Sequence, residues 1–333
     1  MCVNGSGAEP RRRILADDVK SLQELSRKRA AKARERYALL AAELYRAPRG
    51  LLADAERSSM TGMIAGLIAR ISTMIDADTS GGEATVEALR RAGVLEDPDL
   101  VAAAYHRMLE FEIERRAAGN DTVASLSAGH DLEVIHAVTE YLVGRAKRVD
   151  GYGNPVLETA DLPPALAGRL LWSVAAARRG DDPAREDAIE SSACAALAAH
   201  RDPPEPAPML AARRLHEAGA AGPDLLVPLI EAGEVALSEA LLAELARIPM
   251  LLARRFLFEP GGESLAIAAR TTELDRATLI VMLEAGRHAR PRGGDCAAAL
   301  ALFDRLDVET ARRALRGLGR HPDYQEALRR LEG

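Results

Sequence analysis

The chain has 333 residues, 48% of them hydrophobic and only 3% aromatic, with a formal net charge of −6. That length accommodates two domains or one elongated array, and the apolar fraction excludes a disordered polymer. The negative balance removes any global electrostatic case for nucleic-acid binding, and the scarcity of aromatics leaves Leu, Ala, Ile, Val and Met, several of them strong helix formers, to fill the cores.

Residues 1–10 read as a flexible tail. From about Ile14 to Tyr45 the pattern is helical, basic early (Lys20, Arg27, Lys28, Arg29, Lys32) and apolar late (Leu39, Leu40, Leu44), and Pro48-Arg49-Gly50 stops it. A second helix over roughly 52–76 carries Met60, Ile64, Leu67, Ile68, Ile71 and Ile75 at the spacing of one buried stripe. Asp97-Pro98 opens a helix that Gly119-Asn120 ends, and another runs from about Asp131 to Lys147. The turn-rich segment from Asp150 to Pro155 marks a boundary, after which Leu162-Pro-Pro opens a helix through Trp172 to Arg179. Trp172 is expected on the inward face of that helix, ringed by Leu166, Leu170, Leu171 and Val174.

From about Ala207 short helices alternate with turns. Gly222-Pro223-Asp224 opens one that closes at Gly233, Ser238 caps the next, and Asp275 and Asp307 start two more. Leu229–Gly233 and Leu283–Gly286 echo one another. Such punctuation predicts an all-α fold of stacked helix pairs, a HEAT-like array or a multi-helix bundle. The expected division is a flexible tail (1–10), an N-terminal helical domain (11–160) and a C-terminal HEAT-like domain (161–333), with a second linker at 201–208.

Cys2, Cys194 and Cys296 are far apart and form no CxxC, which argues against a disulfide framework or zinc ribbon and for a reducing compartment. The N-terminus lacks the apolar centre of a secretory signal and no apolar run approaches 18 residues, so a cytoplasmic protein without a transmembrane segment is expected.

The motifs that tempt a chemical reading are few. Glu133-Val-Ile-His136 is one half of a carboxylate-bridged di-metal pattern, and His106 with Glu110 supplies neither the order nor the spacing of a second half. An ion pair or hydrogen bond on a helix surface explains these residues more simply. His130-Asp131 is similar to a phospho-accepting histidine, but Val134 stands where Thr or Asn is required; the simpler reading is that Ser127 or Asp131 caps a helix. No GxSxG, P-loop, GxGxxG or HExxH is present. Cys194 in its alanine-rich helix reads as a core cysteine, and Cys296 sits beside Asp295, which opposes thiolate formation. The basic N-terminal stretch is interrupted by Asp17, Asp18, Glu24 and Glu35 and carries no stacking aromatic, so it reads as a solvated face. Accordingly no catalytic residue, metal ligand or cofactor is assigned.

Several segments nonetheless look familiar. Leu265–Arg270, Leu274–Leu283, Ala299–Arg305 and Ala311–Leu315, with Arg36–Ala42, Leu52–Arg57 and Leu162–Ala167 earlier, resemble the bacterial family catalogued as domain of unknown function 2336. The resemblance implies helix pairs of the HEAT kind in a cytosolic bacterial protein; it carries no activity and no site residue. The leading expectation is a non-enzymatic protein–protein interaction module, a regulatory adaptor with an unidentified protein partner and no nucleic acid. The alternative is a small-molecule or nucleotide sensor with its ligand between the two helical halves, with Arg254-Arg255 or Arg312-Arg313 for phosphates; histidine phosphotransfer or a metal-dependent helical enzyme is a minor third.

Overall fold

In the computed structural model, the described residues are 8–46, 49–76, 78, 80–117, 122–126, 128–179, 183–201, 205–286 and 296–320, with Tyr324, Ala327 and Leu331. The helices in chain order are α1 (Ala8–Tyr45), α2 (Asp54–Ile75), α3 (Gly82–Arg91), α4 (Pro98–Arg116), α5 (Thr122–Leu126), α6 (Leu132–Ala146), α7 (Pro164–Arg178) and α8 (Pro183–Arg201). There follow α9 (Ala207–Glu217), α10 (Leu226–Glu231), α11 (Val235–Ala246), α12 (Met250–Phe258), α13 (Glu263–Thr271), α14 (Arg276–Ala285), α15 (Cys296–Arg305) and α16 (Val308–Leu318). An isolated bridge between Val149 and Pro155 is the sole β-type pairing among the described residues. The fold is all-α.

The chain divides into two compact units that interleave in sequence. One comprises 1–32, 116–134 and 211–333; the other comprises 33–115 and 135–210. The 150–164 loop therefore lies inside one unit, and the division differs from segments 11–160 and 161–333 because helix contacts, not turn-rich stretches, decide it. The expected tail falls largely on residues 1–7, outside the described residues, and Ala8 already opens α1; of the expected 201–208 linker, 202–204 lie outside the described residues, Arg201 ends α8 and Ala207 opens α9.

In the unit of 33–115 and 135–210, α2 contributes the predicted stripe. Met60, Ile64, Leu67, Ile68, Ile71 and Ile75 are all buried, and the helix packs against α3, α7 and α8. With a mean hydropathy of 1.2 over its most apolar window, α2 is long and apolar enough to cross a membrane by length and composition, and its stripe is packed inside the protein. Arg178 at the end of α7 locks the C-terminus of α2: its guanidinium donates to the Asp76 carboxylate at 2.7 Å and to the carbonyls of Asp78 and Ser80. Burial tends to raise the Asp76 pKa, but hydrogen bonds from Arg185 and Arg178 and the Asp78 amide outweigh it and hold the acid at about 2.

Trp172 is not inward. It is 42% exposed, whereas Leu166, Ala167, Leu170, Leu171, Val174 and Ala175 form the buried face of α7. Two residues on from Leu170, Trp172 points about 200° round the helix, with Arg169 and Ala176 on the outer side.

In the other unit α13 is deeply enclosed: Glu263 through Ala269 are buried without interruption, and α15 and α16 pack on it. Its Ala and Ser side chains permit that close approach. The expected caps at Asp275 and Asp307 are present, accepting from the Thr278 amide at 2.6 Å and the Thr310 amide at 2.9 Å. Ser238, expected to cap, instead lies within α11, buried and donating to the Leu226 carbonyl at 3.3 Å. The sequence echo at Leu229–Gly233 and Leu283–Gly286 is not a backbone echo, since Gly233 ends its helix at φ 78° and Gly286 stays at φ −75°.

Candidate functional site

The residues singled out for chemistry are dispersed. Glu133 and His136 are exposed and engaged in ordinary surface pairs, Glu133 with Arg214 at 3.1 Å and His136 with Glu140 at 3.7 Å. His106 and Glu110 are not surface groups. His106 is buried beside Tyr37, whose hydroxyl lies 2.8 Å from Nε2, because α1 covers this face of α4 with an aromatic side chain. Glu110 accepts from Arg107 at 3.1 Å and Arg148 at 2.7 Å; Arg148 also donates to Asp161 at 3.0 Å, and Arg107 to Glu114 at 2.9 Å. This is a largely buried network of paired charges inside the unit. Asp131 caps α6, accepting from the Val134 amide at 3.0 Å, and Ser127 lies outside the described residues.

Cys194 is exposed, contrary to the core expectation, because α8 buries Ile189 and Ala193 and turns Cys194 outward. Cys296 is half-buried. Arg254 is buried and donates to Glu239 at 3.0 Å, while the exposed Arg312 and Arg313 pair with Glu273 and Glu309. No group of three or more metal-ligating side chains occurs among the described residues. A cavity of ≈ 380 Å³ in the unit of 33–115 and 135–210 is lined by Tyr45, Ser58, Thr61, Gly62, Ile64, Ala65, Val86 and Leu95. None of those side chains carries a charge to pair a phosphate.

What stands out instead is a surface. Helix α6 is apolar on two sides. One side, Val134, Ala137, Val138 and Tyr141, is buried. The other follows Leu132, Ile135, Thr139, Val143 and Ala146, and remains exposed, with Leu132 at 82%, Ile135 at 40% and Val143 at 51%. These positions advance by 3, 4, 4 and 3 residues, the spacing of a seam that receives another helix. Scattered exposed apolar residues are ordinary, but three large aliphatics in register along one helix face form a continuous strip.

A family model described as an uncharacterised protein conserved in bacteria (DUF2336) matches residues 112–316. The chain belongs to that family. The matched span contains all of α6 and the helices from α10 to α15, together with Leu162–Ala167; Arg36–Ala42 and Leu52–Arg57 precede it. No curated protein and no solved structure matches the chain.

The strip has an ordered charge frame within the family region. Asp131 and Glu133 lie at the N-terminal end of α6, and Arg145 and Lys147 at its C-terminal end, so acid sits at the positive end of the helix dipole and base at the negative end. The sequence carries every residue of this strip. Periodicity alone missed it, because a helix apolar on both sides does not declare which side the rest of the chain will cover.

A second feature is a buried acidic corner in the unit containing α13. Glu259 ends α12 and Glu263 starts α13, linked by Pro260, Gly261 and Gly262. Arg29 of α1 pairs with Glu263, and Ser26 lies 2.8 Å from Ser264 between hydroxyl oxygens. Gly261 adopts φ 102°, and a Cβ there would collide with the Glu263 carboxylate. Burial pushes Glu259 up to about pH 7 despite the opposing Arg255, Ser264 and Arg29, with Glu263 adding to the rise. This corner docks α1 onto α13 and explains the tight Gly-Gly link.

Proposed function

We propose that the chain is a non-enzymatic, cytoplasmic interaction module of the regulatory-adaptor kind, built in its C-terminal part from stacked HEAT-like helix pairs. It engages a protein partner through the exposed face of α6. The observation that carries this reading is the seam of Leu132, Ile135, Thr139, Val143 and Ala146, an apolar strip of helix-receiving period that stays exposed among the described residues. The dispersal of Glu133, His136, His106 and Glu110 into separate pairs favours recognition over catalysis. The successive packing of α10 on α11, α11 on α12, and α12 and α14 on α13 supports the array reading, since such arrays serve mainly as binding scaffolds.

The test is affinity capture from the native bacterium with wild type and with Ile135→Glu, Val143→Glu. The reading expects a stoichiometric protein partner lost in the double variant while the melting temperature holds. Equal capture by both forms would refute the α6 assignment.

A further inference from the structure

The occupant of the α6 face can be named from its symmetry, and this inference rests on the interaction reading above. Measured from Thr139, the seam positions fall at −7, −4, 0, +4 and +7, so their spacing is the same in both directions, with Leu132 answering to Ala146 and Ile135 to Val143. A surface of that kind is self-complementary under a two-fold axis, the defining property of an isologous dimer contact. We infer that α6 pairs antiparallel with α6 of a second copy of this chain, the two-fold passing at Thr139.

In that pairing Ile135 packs against Val143 of the second copy, and Leu132 against its Ala146. The flanking charges choose the direction. Asp131 and Glu133 sit on opposite shoulders of the seam, and so do Arg145 and Lys147. Antiparallel packing brings Glu133 beside Lys147 of the second copy and Asp131 beside its Arg145, with His136 meeting its Glu140. Parallel packing sets Glu133 against Asp131 and Arg145 against Lys147, like against like. Opposite pairing of this kind sets partner choice and orientation, as flanking charges do in coiled coils. Glu133 already approaches Arg214, and both stay open to solvent, so the added cation shares an exposed carboxylate.

One four-turn helix pair is small beside the ~1,200–2,000 Å² that stable complexes bury. The dimer is therefore weak and concentration-dependent, suited to an adaptor that exchanges partners.

Sedimentation velocity of the full chain over a wide concentration range is the first test. The expected result is a reversible monomer–dimer equilibrium for wild type and at least a tenfold weaker one for Ile135→Glu at unchanged melting temperature. Direction is read by disulfide trapping in a chain whose three native cysteines are replaced by serine. Thr139→Cys should cross-link with itself, Ile135→Cys alone should not, and Ile135→Cys mixed with Val143→Cys should give the mixed dimer. Self-cross-linking of Ile135→Cys would overturn the antiparallel pairing. A wild-type chain that stays monomeric throughout would overturn the dimer altogether. If it also loses a captured host protein on Ile135→Glu substitution, the interaction reading survives without self-pairing.

Discussion

Helices α6 and α13 both carry apolar residues on more than one side, and they meet opposite fates. In α13 every side chain from Glu263 to Ala269 is enclosed by neighbouring helices, and even its first acid is drawn inside. In α6 four residues are enclosed and the opposite strip is left to solvent, on a helix nearly twice as long. Under the proposed interaction reading, the second apolar face of α6 is the one a partner would cover. On that reading the contrast separates residues that hold the fold from residues that would serve binding.

The largest expected effect sharpens that contrast directly. Ile267→Ala in α13 removes buried methylenes and should cost about 2–5 kcal/mol. Ile135→Ala in α6 should stay within about 0.5 kcal/mol in dilute protein, where the strip is free. Urea denaturation of the two variants measures both, and equal losses would erase the distinction.

The acidic corner next to α13 adds a pH signature that α6 lacks. Glu259 titrates near 7 when folded, against about 4.3 for an unperturbed glutamate, so the folded state retains a proton that the unfolded chain has lost. Its contribution is fully present below about pH 4.5 and declines until about pH 7, amounting to roughly 3 kcal/mol over that window. Glu259→Gln should flatten the slope and exceed wild type in stability at pH 8. Parallel pH–stability curves for the two proteins would show that Glu259 ionises normally.

A smaller effect separates the two histidines. His106→Ala empties a buried hydrogen-bonded position facing Tyr37 and should cost about 1–3 kcal/mol. His136→Ala, on the outer side of α6, should be neutral within about 0.5 kcal/mol. Smallest of all is a spectral expectation: Trp172 should emit toward the red in the native state and be quenched by iodide, and a blue-shifted emission would place it inside.

Much of the architecture was legible in the sequence, because it rests on local rules. The stripe of α2 follows from spacing at Met60, Ile64, Leu67, Ile68, Ile71 and Ile75, and the starts at Asp275 and Asp307 follow from capping chemistry. Trp172 was legible too: the positions of Leu166, Leu170, Leu171 and Val174 already set a face from which residue 172 points away. What depends on distant partners was hidden. Nothing local says that Tyr37 covers His106, that Arg148 reaches Glu110, or that residues 116–134 pack with 211–333. The α6 strip was written in the residues but not its exposure, since exposure is decided by what the remaining helices leave uncovered.

The most direct test is covalent footprinting of apolar side chains with a photogenerated carbene, in dilute purified protein and inside the native bacterium. The account predicts labelling at Leu132, Ile135 and Val143 in the dilute protein, protection of all three in the cell, and no labelling of Leu265 or Ile267 in either. Equal labelling of α6 in both settings, or protection already complete in the dilute monomer, would contradict the claim that this face exists to be covered by a partner.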